Sequence, residues 1–244
     1  MPPIRVSAPP SLRALRASFM GKNIEINAAD GHAFGAYEAR LKDRVRGGLV
    51  VVQEIFGVNA HVRRVADGFA ADGYHVVAPA LFDRAERGVE LGYDKPDVER
   101  GRGLRQKIDL DHMLLDVAAS GEAVRSAGKV GIVGYCLGGS LAWLAACRSE
   151  AFSAAVGYYG GMIAGHLSET PRIPVMLHFG EDDSGIPMSD VEKIRAGVDQ
   201  KRVQVFAYAG AGHAFNRDGS SAWHKPSARV ARERTLAFLR EHVG

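Results

Sequence analysis

The chain has 244 residues, of which 46% are hydrophobic and 24% are charged, and its formal net charge is +3 at pH 7. This length and balance suit one large α/β domain with a substantial core, and so small a charge predicts no binding to nucleic acid. No apolar run approaches the roughly 18 residues that a membrane span requires, so we expect no membrane association.

The first residues of the chain differ in composition from the rest. Residues 1–19 contain three arginines and no acidic residue, and they lack the apolar core of a signal peptide. We expect residues 1–19 to be a disordered extension, with an organelle transit segment as the alternative, and residues 20–244 to form a single domain.

Strand and helix patterns alternate along the chain from about Lys22. Two extended segments around Asp30-Gly31 predict a β-hairpin. After the hairpin, continuous apolar runs predict buried strands, and apolar residues at helical spacing predict helices. The predicted strands are 47–54, 74–80, 129–135, 152–160, 173–180 and 202–209, and the predicted helices lie around 62–70, 110–124, 137–148, 190–198 and 226–242.

This order predicts an α/β fold, in which a mostly parallel twisted sheet carries helices on both faces and an antiparallel hairpin at its N-terminal edge. Residues 84–105 are rich in charge and glycine, and we expect them to form one long irregular connection, a type of loop that often acts as a lid. No histidine and cysteine spacing indicates a metal site, no dinucleotide-binding glycine pattern follows the first strand, and we expect no cofactor.

Chemically reactive residues follow several of the predicted strands. In a parallel sheet, ligands bind beyond the carboxyl ends of the strands, so these residues would share one edge of the sheet. Cys136, the pair Asp182 and Asp183, and then His213 each follow a strand, and Glu54 ends another. The order nucleophile, acid, histidine is that of the α/β-hydrolase triad. The pattern alone does not choose between the two aspartates. It also leaves open whether Glu54 belongs to the site or pairs with a loop arginine.

Cys136 lies between glycines in the stretch GYCLGG, directly after a predicted strand and before a predicted helix. This is the form of a nucleophile elbow with sulfur in place of oxygen, and its glycines let strand and helix approach closely. The helix that begins at Leu137 would direct its free N–H groups and positive dipole end at the sulfur, which favours the thiolate. The alternatives are a packing cysteine, and a capping or surface role for His213.

The second cysteine, Cys147, is too far from Cys136 to form a disulfide bond with it. Eleven helical residues separate the two by roughly 16 Å, whereas a disulfide needs Cα atoms within about 7 Å. A resolving role for Cys147 in redox chemistry is therefore disfavoured, and we expect a reduced, cytoplasmic protein.

Five segments together resemble the signature segments of the dienelactone hydrolase family, the carboxymethylenebutenolidases. They are VVQEIFGVN, APALFDR, GYCLGG, FGEDDSGIP and GAGHAFNRD. The resemblance runs from about Met20 to the C-terminus and implies the α/β-hydrolase fold. It also implies that Cys136 is the nucleophile, that His213 is the base, and that Asp183 rather than Asp182 is the orienting acid.

The resemblance implies further roles for residues around this triad. Glu54 would hold the resting thiol until substrate arrives, and the N–H groups of Ile55 and Leu137 would form the oxyanion hole. Arg84 and Arg217, which otherwise look like solvated arginines, would bind a carboxylate of the substrate. Two features depart from the family pattern: Ala214 stands where members active on dienelactone tend to have serine, and ERGVELGYDKPD differs from the loop expected there.

The predicted function is hydrolysis of a small lactone or enol ester that carries a carboxylate, of the dienelactone to maleylacetate type, through a cysteine acyl-enzyme. The alternatives are a general short-chain esterase or thioesterase, and a non-catalytic ligand-binding protein on the same fold. The expected partner is the small ester or lactone itself, without nucleic acid or membrane, and the expected state is a monomer or weak homodimer.

Overall fold

A computed structural model describes residues 19–41 and 45–244 of the chain. Its strands are β1 (Phe19–Asn27), β2 (Ala33–Leu41), β3 (Gly48–Val52), β4 (His75–Pro79), β5 (Val130–Tyr135), β6 (Ala154–Tyr158), β7 (Val175–Gly180) and β8 (Val203–Tyr208). They form one eight-stranded sheet in the order β1-β2-β4-β3-β5-β6-β7-β8. The predicted extension lies outside the described residues, apart from Phe19 at the start of β1, so it stays a prediction.

The sheet is antiparallel at one edge and parallel elsewhere. β1 and β2 form the predicted hairpin, and β2 is also antiparallel to β4. All pairs from β4 and β3 to β7 and β8 are parallel. The carboxyl ends of β3 to β8 therefore meet at one edge of the sheet, where the chemically reactive residues were predicted to gather.

The described residues form six α-helices: α1 (Ala60–Ala71), α2 (Lys95–Gln106), α3 (Leu110–Ala123), α4 (Leu137–Arg148), α5 (Met188–Gly197) and α6 (Lys225–His242). Every residue of β3 to β7 is buried, so both faces of the central sheet are covered, as the continuous apolar runs predicted. The predicted α/β fold is confirmed. No helix in the described ranges combines the length and apolar sequence needed to cross a bilayer.

The expectation of one irregular connection at 84–105 is wrong, because α2 occupies much of it. Asp94 caps the helix by accepting the Asp97 N–H, and Pro96 lies in the first turn. These start signals are present in the sequence. Few apolar residues follow them, however, and without an apolar stripe the helical periodicity was not apparent.

Candidate active site

Cys136 lies on the sharp turn between β5 and α4. Its φ of 53° and ψ of −111° are strained for a residue with a side chain, and it is the N-cap residue of α4. The glycines around it are needed for close packing. A Cβ on Gly134 would collide with the carbonyl oxygen of Gly138, and a Cβ on Gly138 would collide with that of Val52. Only a glycine-rich sequence allows this turn.

His213 and Asp183 form a hydrogen-bonded pair beside Cys136. His213 Nδ1 lies 2.7 Å from Asp183 Oδ2. Asp183 Oδ1 accepts the N–H groups of Gly185 and Ile186 at 2.8 and 3.2 Å, so both oxygens of this buried carboxylate are held in place. Asp182 is exposed. The structure therefore places Asp183, and not Asp182, on the histidine.

The environment of His213 favours its protonated form. Burial lowers the pKa of the imidazole, but the hydrogen bond with Asp183 and the contact with Cys136 outweigh burial and raise the pKa to about 10. A nucleophilic cysteine needs a neighbouring group that exchanges protons with the substrate, and this imidazole is such a group. The pair is thus arranged for nucleophilic chemistry.

This pKa shift makes the stability of the fold depend on pH. The pKa of His213 is higher in the folded state than the value of about 6.5 expected in the unfolded chain. The stabilisation is fully present below that unfolded value and is lost as the pH rises through about 10. We expect Asp183→Asn to lose most stability relative to wild type near neutral pH, and less as the pH approaches 10.

Urea denaturation at pH values below, within and above the interval from about 6.5 to about 10 would measure the difference in free energy of unfolding between wild type and Asp183→Asn. Asp182→Asn is the matched control, and its difference from wild type should not vary with pH across this range. A difference between wild type and Asp183→Asn that is constant from neutral to alkaline pH would contradict the assigned cause of the shift.

Glu54 and Arg217 form a buried ion pair at the same edge of the sheet. Arg217 Nε donates to Glu54 Oε2 at 2.9 Å, and Nη2 donates to Oε1 at 3.0 Å. Both side chains are almost fully buried, so the two-point contact compensates charges that water does not reach. The sequence left open whether Glu54 pairs with a loop arginine, and the structure shows that it does. In the described part of the chain no hydrogen bond joins Glu54 to Cys136, and the thiol-holding role stays a prediction.

Two aromatic rings enclose the guanidinium of Arg217. Its Cζ lies 4.2 Å from the ring centroid of Tyr93 and 5.0 Å from that of Phe56. Asn59 holds Tyr93 in place by donating to its hydroxyl at 3.2 Å. Sequence reasoning missed these three residues, and a lone aromatic in a charged segment is the only signal that pointed to Tyr93.

Ala214 is the residue that departs from the family pattern. It is buried and has a φ of 61°.

Residues 85–106, the covering segment, lie against the loop that follows β3. The Leu91 N–H donates to the carbonyl oxygen of Phe56 at 2.9 Å. Gly101 lets α2 approach the carbonyl oxygen of Ile55, where any Cβ would collide. The segment expected to act as a lid is therefore packed directly on the loop that carries Glu54.

The N–H groups of Ile55 and Leu137 have no protein acceptor among the described residues. Leu137 begins α4, whose first N–H groups have no partner within the helix. The next N–H along, that of Gly138, donates to the carbonyl oxygen of Gln53 at 3.1 Å and so ties the start of α4 to the loop after β3. Both N–H groups are available to an oxyanion, and that role stays a prediction.

Arg84 belongs to a different ion-pair group. It ends the short helical turn after β4, and its Nε and Nη2 donate to Asp116 at 2.8 and 2.7 Å, while Nη1 and Nη2 donate to Asp30 at 2.8 and 3.2 Å. Asp116 is fully buried in α3, so Arg84 compensates a carboxylate that lies out of water. Within the described ranges Arg84 and Arg217 share no hydrogen-bond or ion-pair partner. Binding of a substrate carboxylate by Arg84 stays a prediction, and it would compete with these two partners.

Tyr159 completes the inner wall of the site. It is fully buried, and its ring centroid lies 5.1 Å from that of His213. Nothing in the sequence distinguishes it from its neighbour Tyr158, so sequence reasoning gave it no role. Across the described residues, no cluster of histidine, cysteine, aspartate and glutamate could hold a metal ion.

Comparisons with known proteins identify relatives of this chain. The sequence model of the dienelactone hydrolase family matches residues 34–243. The chain is 36% identical over 226 residues to the carboxymethylenebutenolidase of Pseudomonas putida, an alignment that covers 89% of this chain and 95% of the relative. A crystal structure from Klebsiella pneumoniae, 28% identical, matches with a TM-score of 0.80 over 92% of this chain and 99% of that one. The dienelactone hydrolase of Anabaena variabilis shares the fold, with a TM-score of 0.67 at 14% identity over 93% and 100% of the two chains.

Proposed function

The chain belongs to the dienelactone hydrolase family, and we propose that it hydrolyses a small lactone or enol ester that carries a carboxylate, through a cysteine acyl-enzyme. As a member of this family it is a carboxylic ester hydrolase. The observation that carries the proposal is the position of Cys136 on the strained turn at the start of α4, at the sheet edge that also holds the hydrogen-bonded pair of His213 and Asp183.

In the first half of the reaction the Cys136 thiolate attacks the carbonyl carbon, and the carbonyl electron pair moves onto oxygen. The N–H groups of Ile55 and Leu137 hold that oxyanion. The tetrahedral adduct then expels the ester oxygen, which takes a proton from the His213 imidazolium, and the acyl group stays on sulfur.

In the second half water attacks the acyl-enzyme. Neutral His213 takes a proton from that water, the adduct expels the thiolate, and the acid product leaves with His213 protonated again. Asp183 holds the imidazole in the tautomer that both halves require.

Sulfur also limits which esters are suitable. A thiolate is a good leaving group as well as a good nucleophile, so an adduct with a poor alkoxide leaving group returns to substrate by expelling sulfur. An enol ester or an enol lactone releases a stabilised enolate, so its adduct goes forward to the acyl-enzyme. This preference suits the proposed substrate class better than a peptide.

Arg217 is the proposed ligand of the substrate carboxylate. Two of its N–H groups already bind Glu54, so an incoming carboxylate either uses the remaining Nη1 or takes the place of Glu54. Charge-assisted hydrogen bonds from arginine are strong and directional, and this site is buried between aromatic rings, which strengthens them further.

We expect Arg217→Ala to lower kcat/KM for dienelactone about 10- to 150-fold, the equivalent of 1.5–3 kcal/mol for one charged hydrogen bond. The methyl ester of dienelactone and p-nitrophenyl acetate offer no carboxylate, so their kcat/KM should change little. Arg217→Lys should lose less than Arg217→Ala, because it keeps the charge but not the planar fork.

Arg84→Ala measured on the same esters decides the role of Arg84. A selective loss on dienelactone would place Arg84 at the substrate. A fall in the thermal unfolding midpoint, with equal changes of kcat/KM on both esters, would mean that Arg84 only compensates the charges of Asp30 and Asp116.

Equal losses of kcat/KM on charged and neutral esters in Arg217→Ala would contradict the proposal of a carboxylate-bearing substrate.

A general short-chain esterase or thioesterase is the second candidate. The neutralisation of Arg217 by Glu54 favours it, because the site as it stands carries a balanced pair of charges rather than a free cation. Hydrolysis rates for cis- and trans-dienelactone, p-nitrophenyl acetate and a short acyl thioester would separate the two, since only the family substrate class requires a carboxylate.

A further inference from the structure

Asn59 joins the start of α1 to the covering segment. Its Oδ1 accepts the N–H groups of His61 and Val62 at 3.1 and 3.3 Å and so caps the helix. Its Nδ2 donates to the carbonyl oxygen of Leu91 at 3.0 Å and to the hydroxyl of Tyr93 at 3.2 Å. The side chain is buried, and its four hydrogen bonds occupy both of its polar atoms.

These contacts require more than a helix cap. Serine and aspartate cap a helix about as well as asparagine does. Aspartate would place a second carboxylate oxygen against the carbonyl oxygen of Leu91, and serine has no second arm that could donate to it. An asparagine side chain offers both an acceptor and an N–H donor, so the second arm of Asn59 serves the covering segment and not the helix.

Tyr93 needs this support because it lies at the surface. Its side chain is 37% exposed, so packing covers only part of the ring. The ring contacts the Arg217 guanidinium at 4.2 Å and meets the ring of Phe56 edge to face, with 4.9 Å between the centroids. The attraction between a cation and a ring depends on how the ring faces the cation. The hydrogen bond from Asn59 therefore restricts the ring to the orientation that Arg217 requires.

The main chain next to Arg217 is tied to the same helix by separate contacts. Asp218 Oδ1 lies 2.8 Å from Nδ1 of the buried His61, and Arg64 Nη2 donates to the same oxygen at 3.2 Å. These contacts do not involve Asn59. Removal of the Asn59 donors would therefore release the ring that lies over Arg217 without releasing the loop that carries Arg217.

We propose that Asn59 is a positioning residue, which holds the ring of Tyr93 over Arg217 and thereby fixes the direction of the guanidinium in the site. The covering segment is then a fixed wall of the site, fastened to the start of α1, and a determinant of which substrates are preferred. The effect on substrate preference rests on the proposed binding of a substrate carboxylate at Arg217.

Asn59→Ser and Asn59→Ala separate the cap from the contact with the covering segment. Serine keeps a capping oxygen but not the donors to Leu91 and Tyr93, whereas alanine loses both functions, so the thermal unfolding midpoint should fall further in Asn59→Ala. Both variants should lower the ratio of kcat/KM for dienelactone to that for its methyl ester equally, by about 2- to 12-fold, as for loss of one neutral hydrogen bond. A ratio that falls further in Asn59→Ala, in step with the midpoint, would mean that Asn59 acts through the helix, and the proposal would fail.

Tyr93→Phe tests the same hydrogen bond with the helix cap intact. It keeps the ring and removes the hydroxyl, so it should lower the same ratio, and the double variant Asn59→Ser with Tyr93→Phe should lose less than the two single losses combined. Glu90→Ala is the control, because it removes the contacts of Glu90 with Arg63 at 2.6 and 2.7 Å from the same segment and should keep the wild-type ratio. A wild-type ratio in Tyr93→Phe, additive losses in the double variant, or an equal loss in Glu90→Ala would each overturn the proposal.

Hydrogen exchange measured by mass spectrometry gives a readout that needs no substrate. The Leu91 N–H, which donates to the carbonyl oxygen of Phe56 at 2.9 Å, reports on the covering segment. The peptide that contains Leu91 should exchange faster in Asn59→Ser than in wild type, and α1 should exchange at the wild-type rate because its cap is kept. An unchanged rate in that peptide would overturn the proposal. A wild-type enzyme with no preference for dienelactone over its methyl ester would instead refute the proposed function, so the two failures are distinguishable.

Discussion

Cys136→Ala should abolish ester hydrolysis, with a loss of about 10⁶-fold in kcat by analogy with the removal of the nucleophile from serine triads. Cys136 is the residue on the strained turn at the start of α4, and its thiol contributes to the raised pKa of His213. Without the sulfur the proposed acyl-enzyme cannot form, and only the N–H groups proposed for the oxyanion hole and substrate binding would remain. Steady-state hydrolysis of p-nitrophenyl acetate and dienelactone measures the effect.

Cys147→Ala is the control for that experiment. Cys147 is buried near the end of α4, and burial raises the pKa of its thiol to about 12, so it is unreactive and should be dispensable for turnover. Iodoacetamide should label Cys136 before Cys147 for the same reason. Cys136→Ser should keep little activity, because a hydroxyl is far harder to deprotonate than a thiol. Activity retained in Cys136→Ala would refute the mechanism.

Asp183→Asn should lower kcat by about 10⁴-fold, the loss seen when the acid of a serine triad becomes an amide. Asp183 holds His213 Nδ1 through one oxygen and is itself held by two backbone N–H groups through the other. An amide that keeps its oxygen on the backbone N–H groups turns its NH₂ to His213 Nδ1, and the opposite orientation would set the NH₂ against those N–H groups. The first orientation selects the tautomer that cannot take a proton from the substrate side.

Asp182→Asn differs by one residue and should change kcat by less than about tenfold, because Asp182 is exposed and does not contact the histidine. The variants should be compared at one pH near neutrality, where wild-type His213 is protonated. If Asp182→Asn suffers the larger loss, the assignment of the orienting acid is off by one residue.

Most of the fold could be predicted because its signals are local. The β-branched runs of β3 and β5, the glycines around Cys136 and the turn at Asp30-Gly31 each specify their structure within a few residues. The order of Cys136, Asp183 and His213 along alternating strands and helices then places them at one edge. Local patterns do not encode the contacts between distant segments in the same way.

The partners of the charged groups depend on such distant contacts. Arg217 and Glu54 are 163 residues apart in sequence, and Arg84 and Asp116 are 32 apart. The buried face of α3 contains Asp116, whose charge Arg84 compensates there. The ring of Tyr159 packs against His213 and Phe215, which lie in a distant loop, so no local pattern could reveal its place in the site.

The covering segment sets a limit on how this enzyme can be recombined with its relatives. Leu91 is hydrogen-bonded to Phe56, and Gly101 lies on the carbonyl oxygen of Ile55. A chimera that imports residues 85–106 from another member would therefore also alter the packing of Ile55, whose N–H is proposed to bind the oxyanion. A change in substrate range would therefore be accompanied by a change in turnover. Laboratory evolution would have to mutate the loop after β3, residues 53–59, together with the covering segment, residues 85–106.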